Sequence, residues 1–342
     1  MDQERERIQE DLRGLLDGEE RCDDVFLQMY ASDASIYELR PLGVIRPRGV
    51  SDVVATLRYA AENAIPVHAR GAGTGLAGES LGPGLVLDFS HSMRRILETG
   101  EQTVRIQPGV VCEQLNRHLA RFGRKYGPDP ATAKVSTMGG VIALDGSGSH
   151  FPRYGSARDT VVSMQVVLAD GTVMEAGRLP VETPSVEEKR EQQLVRELGG
   201  LVVREKAVID RRYPKSSVNR SGYELRGVLD NGQLDLARVI AGSEGTLALI
   251  TEATVRTVPL PIRTGLVLLF FDRLESAARG ALEVSNHGVS ACDLMDRRLL
   301  MIARECNVNY DLLLPPEAEA MLLVEVEGES QDDVRDRLQN IV

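Results

Sequence analysis

Three stretches of this chain combine glycine with small hydroxyl residues in patterns suited to holding an anion rather than filling a core. The first is Arg70-Gly71-Ala72-Gly73-Thr74-Gly75-Leu76-Ala77-Gly78, in which Gly73, Gly75 and Gly78 satisfy a G-x-G-x-x-G spacing. That spacing alone is a weak sign of a dinucleotide fold, which also needs a crossover helix after the glycines and an acid at the end of the next strand. Asp88 can serve as the acid, but only residues 79–84, rich in Gly and Pro, separate Gly78 from the strand predicted at Leu85. Six residues cannot form a crossover helix, which takes about ten or more, so the nicotinamide reading fails on spacing. Clustered glycines still permit positive φ and let successive N–H groups converge on a phosphate. A diphosphate ligand and a purely steric turn both remain open on these residues alone.

The second stretch runs from Pro128-Asp129-Pro130 to Ser136-Thr137-Met138-Gly139-Gly140 and Ala143. Ser136 and Thr137 are candidate helix caps, and the helix start they mark would aim N–H donors outward at an anion. Gly139 and Gly140 are poor helix formers, which either a close ligand or a backbone packing contact explains. The third stretch, Gly242-Ser243-Glu244-Gly245-Thr246-Leu247, is a turn leading into the strand that holds Ile250. A fourth, residues 215–225, is polar and aperiodic, and its composition by itself assigns it no role.

The elements around these loops follow from apolar spacing. Ile8, Leu12, Leu15 and Leu16 predict a short amphipathic helix at the start of the chain. Ser51 is expected to cap a helix over 52–63, followed by strands over 65–69, 85–89 and 103–107 and a helix over 110–121. Val161–Leu168, Asp170-Gly171 and Thr172–Ala176 predict a hairpin with a type I′ turn. Residues 184–212 predict one or two charged surface helices, and 247–258 a strand ending at Pro259 and Pro261. Beyond those prolines the pattern is strand 266–271, helix 273–286, strand 289–294, helix 296–305, strand 321–326 and helix 331–342. Val334, Leu338, Ile341 and Val342 share one face of the last helix, which is expected to be an exposed apolar stripe if the chain is a fragment whose partner strand is missing.

Composition narrows the function classes. The 342 residues are 42% hydrophobic and 27% charged, as in ordinary globular proteins. A formal charge of -11 argues against nucleic acid, which requires clustered Lys and Arg. The chain has no apolar run near the ~18 residues that span a bilayer, and its charged start is unlike a signal peptide, which together predict a cytoplasmic protein, at most peripheral to the inner membrane. Cys22, Cys112, Cys292 and Cys306 are widely spaced and read as buried, reduced and structural. The five histidines, His68, His91, His118, His150 and His287, form no paired metal motif, so no metal site is expected.

Taken together, in this order and spacing, the four stretches resemble the FAD-binding domain of the vanillyl-alcohol-oxidase (PCMH-type) flavoproteins, and within them the D-lactate and glycolate dehydrogenase branch. Arg153 to Asp159 leading into Val161–Gly171 is also similar to that family's pattern. The resemblance implies an α+β chain: an N-terminal helical segment over 1–39, a two-subdomain FAD-binding domain over 40–261 and a partial ferredoxin-like cap over 262–342. It implies FAD contacts at Arg70, Gly71, Ala72, Gly73, Thr74, Gly75, Leu76, Pro128, Asp129, Ser136, Thr137, Gly139, Gly140, Ala143, Tyr154, Gly155, Glu244, Gly245 and Ile250. Thr74 stands where covalently flavinylated members often carry His, so FAD is expected to be non-covalent. Many relatives follow Gly-Gly with Asn-x-Ala-x-Asn, whereas this chain reads Val141-Ile142-Ala143-Leu144-Asp145-Gly146, resembling the branch fused to an iron-sulfur module.

The implied activity is oxidation of a 2-hydroxy acid, D-lactate or glycolate in type, with hydride passing to the flavin and electrons passing onward, an iron-sulfur partner being one acceptor. The family's H-x-G-D-G-N-x-H stretch has no counterpart here, so a truncated form, or a flavin-binding subunit that needs a partner, is the alternative. A nicotinamide-dependent nucleotide-sugar reductase of the same fold ranks below both. A substrate carboxylate would want an arginine beside the flavin; the chain has many, nothing in the sequence singles one out, Arg153 and Arg158 are guesses only, and no catalytic base is identified.

Overall fold

Val67–Arg70 (β3) and Leu85–Asp88 (β4) lie side by side and parallel, yet residues 71–84 between them form no helix. The connection is the glycine loop itself, which is why the nicotinamide topology fails. This computed structural model describes residues 3–181, 190–216 and 218–342. The sheet is completed by Gly43–Arg46 (β2), parallel to β4, and Glu19–Arg21 (β1), antiparallel to β2, in the order β1-β2-β4-β3. Gln3–Leu12 (α1) buries Ile8 and Leu12 in one cluster with Ile45, Leu85 and Leu87. Full burial of such aliphatic side chains contributes roughly 1.5–3 kcal/mol each. Helix Val50–Glu62 (α3) follows Asp24–Tyr30 (α2) and packs Val53, Leu57 and Ala60 into the same cluster. Ser51 does not cap α3: Gly49 is the N-cap, and Asp52 instead accepts from the N–H of Arg48 at 2.8 Å and of Asp17 at 2.9 Å. Those two bonds satisfy loop donors, a role the helix-cap rule does not anticipate.

A second sheet is antiparallel throughout, in the order Ile96–Thr99 (β5), Thr103–Ile106 (β6), Leu249–Arg256 (β9), Val161–Val167 (β7) and Val173–Ala176 (β8). Against it pack Cys112–Leu119 (α4), whose buried Cys112, Leu115 and Leu119 share one face, Met138–Ala143 (α5), and Arg190–Arg212 (α6). The last is a single helix that buries Val195 and Val202, so it is more than a surface insertion. Residues 184–189 of that expectation lie outside the described residues. The β7–β8 hairpin is present, but only Gly171 (φ +81°) is left-handed; Asp170 is not. A type I′ turn requires both, and the bonds Gly171 N–H to Leu168 O and Leu168 N–H to Thr172 O instead describe a three-residue loop with a glycine bulge.

These elements form one unit, which reaches Tyr126 and then adds 132–146 and 157–258. A second unit comprises 127–131, 147–156 and 259–342; its first two segments are residues the sequence reading placed with the flavin domain. Its sheet is antiparallel, with Arg263–Phe271 (β10), Ala320–Gly328 (β12) and Ala291–Asp296 (β11) in the order β10-β12-β11. First, third, second is the strand order of a ferredoxin-like half, matching the α+β cap expected. Val267, Leu269 and Phe271 of β10 and Leu322, Val324 and Val326 of β12 point to one face, as the two-residue strand period requires. Leu274–Val284 (α7) and Gln331–Gln339 (α9) cover that face; Arg297–Cys306 (α8) covers Met321 on the other with Leu300. The exposed stripe expected on the last helix is therefore corrected: Val334 is 7% exposed, Leu338 and Ile341 pack on the sheet, and Val342 alone of the four is open.

Candidate functional site

Within the first unit, the glycine-rich stretches meet. The Thr74 hydroxyl lies 3.0 Å from that of Ser136, which is 2.6 Å from the Thr132 hydroxyl. Gly71 runs so close to Thr137 that any Cβ would overlap the Thr137 Oγ1. From the other side, the N–H groups of Gly242 and Glu244 donate to Ile142 O at 3.0 Å and Ala143 O at 2.9 Å. Gly245 faces Ala69 at the end of β3, and the Tyr223 hydroxyl is 2.8 Å from Thr246 Oγ1. The fourth stretch, which composition left without a role, thus buttresses the third.

The backbone in the first and third loops turns sharply. Gly73, Gly78, Gly242 and Gly245 have φ of +65°, +85°, +81° and +75°, and Glu244, which has a side chain, is held at +56°. In the Gly242–Gly245 turn the Gly242 and Glu244 N–H groups are already spent on Ile142 O and Ala143 O, and a non-glycine held at positive φ, as Glu244 is, is strained. The start of α5 departs from expectation. Thr137 is its N-cap without a side-chain bond, and the Met138 and Gly139 N–H groups are spent on Val110 O and Pro108 O, both at 2.8 Å. Those two donors do not point outward, because they tie α5 to the β6–α4 loop. The paired glycines also divide. A Cβ on Gly139 would lie 2.6 Å from Pro108 Cβ, so packing explains it, whereas one on Gly140 would meet nothing nearer than Thr137 Oγ1 at 3.5 Å. Packing does not require glycine at 140; the close approach of a ligand would. Of the other expected contacts, Ala72 and Leu76 are exposed, Ala143 is half-buried, and Ile250 is buried on β9 in the core.

Two arginines turn inward. The Arg70 guanidinium donates to Ser32 O at 2.8 Å and Tyr30 O at 3.3 Å and stacks over the Tyr30 ring, so it braces the loop with its side chain. Arg158, a candidate for a substrate carboxylate, is 5% exposed and sits 3.3 Å from Asp145 and 3.5 Å from Glu224, donating also to Ala241 O. It is a buried tie, and the substrate role is corrected. Tyr213 donates to the same Glu224 at 2.6 Å.

Pro128, Asp129, Tyr154 and Gly155 belong to the second unit. There Asp129 bridges to Gly148, and Tyr154 covers Gly127, where a Cβ would stand 2.8 Å from the Tyr154 Cβ. His150 is clamped between carboxylates: Nδ1 is 2.6 Å from Asp129 and Nε2 2.8 Å from Glu325. The hydrogen bond to Asp129, opposed by burial and joined by Glu325, pushes its pKa up to about 9. Next to it Glu327, almost fully buried, accepts from the Tyr154 hydroxyl and pairs with Arg153 at 2.7 Å. Arg153 is thus committed to Glu327. This cluster was invisible in the sequence because His150 and Glu325 lie 175 residues apart. Among the cysteines, Cys22 and Cys112 are buried and Cys292 partly so, but Cys306 is exposed, a correction to the expectation that all four are interior. No helix among the described residues is long and apolar enough to cross a membrane.

Comparison with known proteins agrees with this geometry. Residues 41–177 match the family "FAD binding domain", and residues 260–342 match "FAD linked oxidases, C-terminal domain". The chain is 34% identical over 285 residues to a D-2-hydroxyglutarate dehydrogenase of Escherichia coli, covering 80% of this chain and 28% of that protein. It is 29% identical to the glycolate oxidase subunit GlcD of Bacillus subtilis, covering 90% of this chain and 56% of the subunit. A D-lactate dehydrogenase of Archaeoglobus fulgidus is 28% identical, with 83% and 54% covered. The fold is similar to that of alkyldihydroxyacetonephosphate synthase, with a TM-score of 0.68 and 18% identity over all of this chain and 59% of that one. The chain therefore spans between about a quarter and just over half of the curated relatives it matches. With both domain models present in order on converging glycine loops, the chain belongs to the FAD-linked oxidase family.

Proposed function

We propose that this chain binds FAD non-covalently and serves the oxidation of a 2-hydroxy acid of the D-2-hydroxyglutarate, D-lactate or glycolate type. The observation that carries the reading is the convergence of Gly71–Thr74, Ser136–Gly140 and Gly242–Gly245 in one unit, with room for a Cβ at Gly140, whose nearest neighbour would be Thr137 Oγ1 at 3.5 Å. The Gly71–Gly75 loop would supply main-chain donors, and the Thr74 and Ser136 hydroxyls beside it side-chain ones, for a diphosphate, the contact a dinucleotide needs, while the Arg70 side chain ties the loop to residues 30–32. FAD, when bound, supplies the electron-accepting chemistry. Thr74 offers a hydroxyl rather than an imidazole, which supports a non-covalent mode. The substrate class rests on the relatives' names, three of which act on 2-hydroxy acids.

A second reading is a flavin-binding subunit that turns over only with a partner, such as an iron-sulfur electron acceptor. It is favoured by the relative named a subunit, and by the absence among Arg153 and Arg158 of a free cation for a substrate carboxylate. Purified protein should be yellow and release FAD on denaturation; colourless protein that takes up no added FAD refutes the proposal. Anaerobic addition of D-2-hydroxyglutarate, D-lactate or glycolate should bleach the flavin if the chain is competent alone. Flavin that stays oxidised until a partner is supplied selects the subunit reading.

A further inference from the structure

His150, Glu325 and Glu327 each offer one ligand atom, and these atoms lie within 4.8 Å of one another. We propose that they form a binding site for a divalent transition-metal ion of the zinc class, with Asp129 orienting the imidazole from outside the coordination sphere.

Asp129 takes both the His150 N–H, at 3.1 Å, and Nδ1, at 2.6 Å, which fixes the ring and turns Nε2 toward β12. A carboxylate on one imidazole nitrogen with the other presented to a cation is the usual support of a metal-bound histidine. Glu325 and Glu327 are two residues apart on β12, so the strand period puts both on the face that meets His150. Their own bonds resemble those of ligating carboxylates: Ser290 Oγ is 3.1 Å from Glu325, and Tyr154 and Arg153 hold Glu327. Charge argues the same way. Three carboxylates, Asp129, Glu325 and Glu327, surround one imidazole and one guanidinium, and Glu327 has a side chain only 3% exposed. Buried like charges are costly unless matched, and a dication at Nε2 would match them. One imidazole with two carboxylates suits Zn2+, Mn2+ or Fe2+ rather than Ca2+ or Mg2+. Three protein ligands would leave a position for water. Every ligand lies in the second unit, so this site stands independently of the flavin reading.

The test is calorimetric titration of Zn2+ into the chelator-treated 342-residue chain, with Co2+ as a spectroscopic probe. One saturable site is expected, with a Co2+ visible spectrum free of thiolate charge transfer and unchanged in Cys306→Ser. Glu325→Gln is expected to weaken binding at least tenfold, and Asp129→Asn 10- to 100-fold, the range seen for outer-sphere partners. Melting curves of each variant without metal show whether it folds. Absence of saturable binding in the wild type, or wild-type affinity in both folded variants, overturns the proposal. A thiolate band lost in Cys306→Ser would place the metal elsewhere and do the same.

Discussion

Gly140→Ala separates a ligand explanation of the second glycine from a packing one. In the protein alone, a methyl at 140 has space, its nearest neighbour being Thr137 Oγ1 at 3.5 Å, and residue 140 sits inside α5 without positive φ. Alanine is the better helix former by up to about 1 kcal/mol, so the flavin-free variant should melt roughly 2–4 °C higher for a unit of this size. If the diphosphate lies against that backbone, the same methyl overpacks the complex by about 1–3 kcal/mol, a loss of roughly 5- to 150-fold in FAD affinity. Gly139→Ala is the counter-experiment: its Cβ would press on Pro108 at 2.6 Å, so it should lower the melting temperature of the flavin-free protein. Melting curves of flavin-free protein and quenching of FAD fluorescence measure the two quantities. A Gly140→Ala protein that is more stable and binds FAD as tightly as wild type would refute the reasoning, since no ligand could then be near residue 140.

Arg158→Met leaves Asp145 and Glu224 buried without their cation and should cost about 3–5 kcal/mol, read as a lower urea midpoint. Gly171→Ala forces a side chain into φ +81° and against the Arg58 side chain at 2.8 Å, and should destabilise by about 1–2 kcal/mol without altering FAD binding once folded. Burial, and then the bond to Asp88, raises the Tyr30 phenol to about 12. Because the folded value exceeds the ordinary one of about 10, the associated stability is complete below pH ~10 and disappears as pH climbs through about 12. Tyr30→Phe should flatten that part of the stability curve, and an unchanged slope would show that Tyr30 does not set it.

Local chemistry was legible in the sequence, and long-range chemistry was not. Apolar patterns located the strands on both sides of Arg70–Gly78 and the strand over 321–326, because those signals lie within ten residues of each other. The site of the β7–β8 reversal was readable from Asp170-Gly171, but its geometry was not, since a single left-handed glycine suffices when the loop has three residues. Ser51 was misread as the cap of α3, a place Gly49 takes, and the role of Asp52 went unread because its partners, Arg48 and Asp17, come from loops. Nothing local told Arg158 from the other arginines until Asp145 and Glu224 appeared on either side of it, and His150 looked solitary until β12 brought Glu325. The packed face of α9 needed the sheet to be seen beneath it.

Strand β9 lies between β6 and β7, pairing Ala253 with Ile106 on one side and Met164 on the other. A ribosome making this chain from its first residue delivers β6 some 150 residues before the strand that completes its pairing. Until then β6 and β7 each present an open edge, and the Gly242–Gly245 turn, which comes just before β9, has itself not been made. Closing so large a loop is slow, and unsatisfied edges attract other chains. The nascent protein thus passes through a long interval in which it cannot grasp its cofactor and is most exposed to aggregation, and supplying excess flavin during synthesis should help only after the final strand has emerged.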